Sequence, residues 1–247
     1  MKSFDYPLYI VLASRFGQMK RVELKEFDVT RFTKPMKCIN LKKDDSLLQV
    51  GLSDGQQGIV LTTQAGYATL YSEQEISVLG VKAGGIKGIN LKNDELIAMN
   101  IFNPLRTDSF ILISDQPGIK RLRISDIPSC NRATKGNLIF KSPKTKHIQS
   151  LYAFVLETKD QLNIETDSQK IDIFVKDYTH AQLESKPSIL TAIKDNIIRY
   201  VYNPKTLSTD LFDVEKINNE INPKIFEVKK QPDLFNEVKE EIAKKRN

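Results

Sequence analysis

Apolar and polar residues alternate in a pattern that recurs four times along the chain. The first copy covers residues 8–27: an apolar strand, a turn that pivots on Gly17, and a second strand that opens with Lys20 and Arg21 and alternates as far as Phe27. Two such strands separated by a short glycine turn are typical of a β-hairpin. The pattern therefore predicts a hairpin with a basic pair beside its turn.

Further copies of this hairpin follow at a nearly constant interval, over residues 58–76, 110–127 and, in a weaker form, 162–178. Their turn positions are 49, 52 and 51 residues apart, and are Gly17, Gly66, Gly118 and Gln169. The identical tetrapeptides at residues 39–42 and 89–92 lie 50 residues apart and give the same register. A period near 50 residues built on paired strands predicts blades or solenoid turns.

Two more short strands, over residues 38–41 and 46–50, would complete a four-stranded unit within the first repeat. We therefore expect an all-β, propeller-like array of four-stranded blades, four or five in number. The repeats cover about residues 8–56, 57–105, 108–156 and 160–202. Residues 203–247 form a divergent last blade or a tail, in which residues 232–247 have the apolar spacing of a short amphipathic helix.

The charge of the chain is concentrated in the repeats. The whole sequence carries a formal net charge of +6, of which residues 1–150 contribute +8 (22 basic minus 14 acidic) and residues 151–247 contribute −2 (15 minus 17). A polyanion would be attracted to the basic part. No run of 18 apolar residues is present, and the N-terminal segment is a poor signal peptide, so we expect no membrane contact and a cytoplasmic location.

Signs of enzyme chemistry are weak. The two cysteines, Cys38 and Cys130, and the two histidines, His147 and His180, have no metal-site spacing. We expect free thiols in a reducing compartment. The glycines of residues 84–88 lack the spacing of a nucleotide-binding loop.

Three segments carry a resemblance to a known family: GQMKRVELKEF at residues 17–27, SVLGVKAGGIKGINLKNDEL at residues 77–96, and RATKG at residues 132–136. They resemble the C-terminal domain of the bacterial topoisomerase IV A subunit, which is homologous to that of the DNA gyrase A subunit. The resemblance is close over residues 6–150 and weak over residues 151–202. It implies a β-pinwheel, whose blades exchange strands with their neighbours and whose basic outer rim binds and bends duplex DNA.

The residues suited to phosphate contact are the basic ones beside the turns and in the connecting loops. They are Arg15, Lys20, Arg21, Arg31, Lys34, Lys37, Lys82, Lys87, Lys120, Arg121, Arg123, Arg132 and Lys135. For each of them an ordinary solvated charge at a strand edge is the alternative. Gly84, Gly85, Gly88 and Gly136 would let backbone amides approach phosphate.

The resemblance implies a non-catalytic domain of an ATP-dependent type IIA topoisomerase that controls substrate geometry in decatenation and relaxation. The implied partners are duplex DNA, the remainder of the A subunit with its catalytic tyrosine upstream, and the ATPase B subunit. The domain would hold no cofactor, since the holoenzyme would use ATP and Mg²⁺ elsewhere. The glycine-rich box typical of gyrase is not matched here, which favours topoisomerase IV. The alternative function is a propeller-type scaffold for an acidic protein partner.

Overall fold

The computed structural model describes residues 4, 6–29, 33, 35–143, 147–193 and 197–207. Two of the predicted DNA contacts, Arg31 and Lys34, lie outside the described residues, and so does the predicted helix over residues 232–247. Of the C-terminal segment, residues 203–207 are described and include a short 3-10 helix, Pro204–Leu207.

Within the described residues, fifteen strands form four antiparallel sheets, which we call blades 1 to 4. Blade 1 contains β1 (Tyr9–Ser14), β2 (Gln18–Glu23), β3 (Leu47–Ser53) and β6 (Ile86–Lys87). Blade 2 contains β4 (Gly58–Thr63), β5 (Tyr67–Ser72), β7 (Leu96–Phe102) and β10 (Asn137–Leu138). Blade 3 contains β8 (Ser109–Ser114), β9 (Gly118–Arg123), β11 (Ser150–Leu156) and β14 (Ser188–Ile189). Blade 4 contains β12 (Gln161–Thr166), β13 (Lys170–Phe174) and β15 (Ile198–Tyr202). The predicted all-β array of blades is confirmed.

Each blade is built on the predicted hairpin. The first strand of the hairpin also pairs with a third strand from the same repeat, as β1 does with β3. The second strand ends earlier than the alternation predicts, because residues Leu24–Phe27 form a 3-10 turn instead of continuing β2. Equivalent 3-10 turns follow β5, β9 and β13.

The fourth strand of blades 1 to 3 comes from the next repeat. In blade 1, β6 pairs with β2, with Met19 opposite Ile86 and Gln18 opposite Lys87. Residues 38–41, which were predicted to be a strand of blade 1, form no strand. That prediction is wrong because β6, from the second repeat, pairs with the free edge of β2 instead. The strand exchange implied by the family resemblance is therefore present in this chain.

The apolar core lies between successive blades. Along β4, Ile59 and Leu61 pack against blade 1, while Val60 packs against blade 3. This explains why GIVLTT has no polar alternation, since both faces of the strand are buried. The blades therefore form a stack in which the hairpins of blades 2 and 3 pack between neighbouring blades. The exchanged strands and their connecting loops lie at one edge.

Candidate nucleic-acid interface

The outer edge of the stack is formed by four connecting loops, which we call rim loops 1 to 4: residues 35–43, 79–92, 130–141 and 181–193. Rim loops 2, 3 and 4 contain the exchanged strands β6, β10 and β14. All four loops present exposed lysines. Lys141 is one of them and forms a salt bridge with Glu184. The others are Lys37, Lys42, Lys43, Lys82, Lys87, Lys92, Lys135 and Lys186. Among the residues that the structure describes, none of these other lysines forms a salt bridge.

Rim loops 1 and 2 hold a lysine in the same local geometry. The Nζ atom of Lys37 donates to Oδ1 of Asn40 at 2.7 Å. The Nζ atom of Lys87 donates to Oδ1 of Asn90 at 2.9 Å. An ammonium group has three donors, so this bond orients each lysine and leaves donors for an anion.

Rim loops 2 and 3 meet at a shallow groove of about 280 Å³. Lys92 and Lys135 both line this groove, and the Nζ atom of Lys135 lies 3.8 Å from the centroid of the Tyr67 ring. Asp94 also lines the groove and accepts from the backbone N–H of Ala65. The exposed lysines therefore continue from repeat 2 to repeat 3, with one carboxylate beside them.

The basic pairs beside the hairpin turns do not lie on this surface. Lys20 has 0% of its surface exposed and Lys120 has 2%. Their ammonium groups donate to backbone carbonyl oxygens inside the fold, and burial lowers the pKa of both. The expectation that these two lysines are exposed at the rim is wrong, because the exchanged strand and its loop cover them.

The arginines of the same pairs are also held within the fold. Arg21 is half-buried, with its Nη1 atom 3.6 Å from a carboxylate oxygen of the fully buried Glu73. Its guanidinium lies over the Tyr9 ring at 4.7 Å. Arg121, which is 6% exposed, donates from Nε and Nη2 to the Ser109 hydroxyl at 3.1 and 2.9 Å. Arg121 also donates from Nη1 to the carbonyl oxygen of Tyr178, in the fourth repeat, at 2.9 Å. Both arginines therefore lie at joints between repeats and not at the rim as predicted.

Two further predicted contacts, Arg132 and Arg15, already have partners within the fold. Arg132 is half-buried and donates to the carbonyl oxygens of Glu75 and Lys87, so it also joins two repeats. Arg15 is exposed but forms a salt bridge with Glu95 at 3.3 Å.

Arg123 is exposed and lines a groove of about 640 Å³ with Asp126 and His180. Burial lowers the pKa of His180, and the guanidinium groups of Arg121 and Arg123 lower it further. Of the exposed predicted contacts, Lys37, Lys82, Lys87 and Lys135 thus belong to the rim loops.

The described part of the chain holds no group of three His, Cys, Asp or Glu side chains that could bind a metal ion. Cys38 and Cys130 are half-buried free thiols. None of the described helices has the length and apolar character needed to span a bilayer.

Comparison with known proteins decides the family. A family model described as "DNA gyrase C-terminal domain, beta-propeller" matches residues 8–54, 59–103 and 108–141, which is more than half of the chain. The chain belongs to the DNA gyrase C-terminal domain family. The resemblance seen in the sequence is therefore confirmed. In this chain, the blades of the propeller exchange strands.

Relatives within the family are named as components of topoisomerases. The chain is 29% identical over 167 residues to the A subunit of DNA topoisomerase 4 from Bacillus subtilis (strain 168), covering 68% of this chain and 21% of that protein. It is 31% identical over 174 residues to the A subunit of DNA topoisomerase 4 from Streptococcus pyogenes serotype M1, covering 70% and 20%. The chain thus spans about a fifth of the length of these relatives.

Solved structures agree with the fold. A crystal structure of the C-terminal domain of DNA topoisomerase IV matches with a TM-score of 0.77 and 27% identity, covering 82% of this chain and 64% of that one. The DNA gyrase A C-terminal domain matches with a TM-score of 0.69 and 15% identity, covering 82% and 68%, which shows the fold alone.

Five exposed rim lysines were not among the predicted contacts: Lys42, Lys43, Lys92, Lys141 and Lys186. The repeat itself contained a signal for two of them, since Lys42 and Lys92 occupy the same place in the identical tetrapeptides. Lys186 lies 51 residues after Lys135, which is also the interval between β10 and β14. Aligning the loops as well as the hairpins would have found Lys42, Lys92 and Lys186.

Proposed function

We propose that this chain is a non-catalytic, duplex-binding domain of a topoisomerase IV A subunit, and that DNA lies along the rim loops. The observation that carries the proposal is the recurrence of exposed lysines without salt bridges at one edge of successive blades, within the described residues. The family of the chain and the names of its relatives support the same function.

The rim lysines suit a ligand whose charges are regularly spaced. Duplex DNA carries one negative charge per roughly 1.7 Å of helix axis, and lysines that neutralise phosphates release counterions. In the rim loops, Lys37 and Lys87 each contact an asparagine and Lys135 contacts a tyrosine ring. Contacts from such lysines to phosphates carry no sequence information directly. We therefore infer binding that is steep in salt and indifferent to sequence.

A duplex that follows several blades must bend. Bending a site of about 20–30 base pairs costs roughly 1–6 kcal/mol, which the lysine contacts of successive loops would have to offset. In the holoenzyme, such bending would control the geometry of the DNA presented for decatenation and relaxation. The remainder of the A subunit, with the catalytic tyrosine, and the ATPase B subunit would perform the ATP- and Mg²⁺-dependent steps in the cytoplasm.

Two variants with equal loss of charge test this proposal. The rim variant carries Lys37→Gln, Lys87→Gln and Lys135→Gln. The control variant carries Lys159→Gln, Lys170→Gln and Arg199→Gln, which removes three exposed cations that already form salt bridges, with Glu157, Glu165 and Asp167. The measurement is fluorescence anisotropy with a labelled duplex of about 30 base pairs at constant, low salt.

The rim variant is expected to bind at least about tenfold more weakly than the unmodified chain, because phosphate contacts are lost. The control variant is expected to stay within about twofold, since exposed salt-bridged charges contribute little. Equal weakening of both variants would mean that only net charge matters. Unchanged binding by the rim variant would exclude the rim loops as the DNA surface.

A further inference from the structure

The side chain of Lys20 ties together two repeats from inside the fold. It has no exposed surface, and its Nζ atom donates three hydrogen bonds. The acceptors are the carbonyl oxygens of Cys38 (2.9 Å), Val81 (2.7 Å) and Ala83 (3.0 Å). All three donors of the ammonium group are therefore used by the backbone.

The three acceptors adjoin lysines of the rim. Cys38 directly follows Lys37 in rim loop 1, while Val81 and Ala83 stand on either side of Lys82 in rim loop 2. Loss of the donor would cost free energy at the half-buried carbonyls of Cys38 and Val81. The carbonyl oxygen of Ala83 also accepts from the backbone N–H of Asn40 in rim loop 1 at 3.2 Å, so the two loops meet at this point. Lys20 thus fixes the backbone from which two exposed lysines project.

Lys120 makes the same arrangement 100 residues later. Its Nζ atom donates to the carbonyl oxygens of Ile139 (2.6 Å), Leu183 (2.7 Å) and Ser185. Here, however, the residue between the two acceptors of the following repeat is Glu184, which is exposed. The two buried lysines make equivalent contacts, but two rim lysines, Lys37 and Lys82, adjoin the acceptors of Lys20, whereas one, Lys186, adjoins the acceptors of Lys120.

We propose that Lys20 is a positioning residue for DNA binding, which places Lys37 and Lys82 at the rim without touching DNA itself. This inference rests on the proposed function of the rim loops. Burial removes Lys20 from any direct contact, so its influence must pass through the two loops that it joins.

The second repeat suggests the substitution to use. Lys20 stands opposite Leu12 in the hairpin of blade 1, and Thr69 stands opposite Leu61 at the same place in blade 2. Thr69 is fully buried, so a threonine is accommodated at a joint of this kind. Lys20→Thr is therefore the test variant, and Lys120→Thr is its matched control.

Two measurements on the full chain separate the effects. The first is anisotropy with a labelled duplex of about 30 base pairs over a salt series. The second is the rate of trypsin cleavage after the exposed Lys82, measured without DNA, which reports on the order of rim loop 2. Far-UV circular dichroism and thermal melting establish that each variant is folded.

Lys20→Thr is expected to weaken DNA binding about fivefold and to lower the salt dependence by about two counterions, although no exposed charge has been removed. Cleavage after Lys82 is expected to become faster. Lys120→Thr is expected to weaken DNA binding by about twofold and to leave the cleavage rate after Lys82 unchanged, because one rim lysine, Lys186, adjoins its acceptors and the central residue, Glu184, is acidic. A purely structural role would affect DNA binding equally in the two variants.

Equal loss of DNA binding in both variants would overturn the proposal, and so would unchanged binding by a folded Lys20→Thr chain. If Lys20→Thr and a second variant, Lys20→Met, are both unfolded while Lys120→Thr is folded, Lys20 holds the whole fold rather than the loops, and the proposal again fails. If the unmodified chain binds no DNA, the proposed function fails. The cleavage rates then still decide whether Lys20 orders rim loop 2.

Discussion

At the scale of single residues, Glu73 shows how a charge is held between repeats. Its side chain has no exposed surface, and burial raises the pKa of its carboxyl group. The Ser53 hydroxyl and the backbone N–H of Gln57 donate to it, and Arg21 lies 3.6 Å away. Arg21 is therefore committed to this carboxylate rather than to an external anion.

The buried Lys120 predicts an unusual pH dependence of stability. Burial lowers the pKa of Lys120 to about 8, against a usual value of 10.5. Between these values the unfolded chain binds more protons than the folded one, so unfolding becomes harder as pH rises. We expect this contribution to be fully present above pH 10.5 and to be lost as the pH falls through about 8.

Urea unfolding at about pH 7 and about pH 10, on either side of the lowered pKa, measures this effect, with Lys120→Met as the comparison. All other ionisable groups are shared by the two proteins, so the difference between them isolates Lys120. The unmodified chain should gain unfolding free energy relative to Lys120→Met on going to the higher pH. A constant difference between the proteins would show that the ammonium group is not destabilised by burial.

The sequence predicted exposed lysines correctly in the connecting loops, as at Lys87 and Lys135. It could not predict that Lys20 is buried, because two of its three acceptors, Val81 and Ala83, lie more than 60 residues away. A basic residue beside a turn has the same neighbouring sequence whether its side chain is buried or exposed. The side chain is buried where a loop of the following repeat covers it.

At the scale of elements, the exchanged strands depend on close backbone contact. Gly136 precedes β10 with φ of +81°, and a Cβ atom there would lie 2.4 Å from the carbonyl oxygen of Ala68 in β5. Gly85 is similarly close to β2, since its Cβ atom would lie 2.9 Å from the carbonyl oxygen of Met19. These glycines are needed so that a rim loop can lie against the preceding blade.

Local alternation was sufficient to predict the hairpins, because each lies within a short stretch of sequence and alternates visibly. The exchange was implied only by the family resemblance. The donated strands, such as Ile86–Lys87, are two residues long and have no periodicity of their own. Their place is set by the free edge of a hairpin in another repeat.

Substitution of Gly136 by alanine should weaken this exchange. The positive φ and the contact with Ala68 predict a loss of about 1–3 kcal/mol in unfolding free energy. Gly84→Ala is the matched control, because its Cβ atom would lie 3.4 Å from its nearest neighbour, the carbonyl oxygen of Asn40. Chemical denaturation of both variants checks the prediction. Similar stability of the two would contradict the role of the close contact.

At the scale of the whole molecule, the stack has two unlike ends. The outward face of blade 1 exposes Val50 by 48% and Leu52 by 43%. On the outward face of blade 4, Glu165 accepts from the Tyr202 hydroxyl at 2.8 Å and from Lys170 at 3.0 Å. Packing these two faces together would bury charged groups against apolar ones, which is unfavourable.

Equivalent positions in blades 1 and 2 test whether the blade 1 face is open. Val50 lies opposite Leu12, and Met99, which is 1% exposed, lies opposite Leu61. Met99→Asp should cost at least about 3 kcal/mol, because an unpaired charge is buried. Val50→Asp should cost about 0.5 kcal/mol or less, because its face is in contact with water.

Denaturant unfolding of the two variants provides the comparison. A large loss of stability in Val50→Asp would mean that the face of blade 1 is covered in solution. Sedimentation velocity of the unmodified chain and of Val50→Asp would then show whether a second copy covers it.

The salt dependence of DNA binding tests the central claim, that the rim loops bind duplex DNA through phosphate contacts. The logarithm of the association constant should fall linearly with the logarithm of salt concentration, by about 0.9 for each phosphate neutralised. For the variant with Lys37→Gln, Lys87→Gln and Lys135→Gln, the account predicts a slope smaller by about two to three. A slope equal to that of the unmodified chain would contradict the account, because these lysines would then make no contact with DNA.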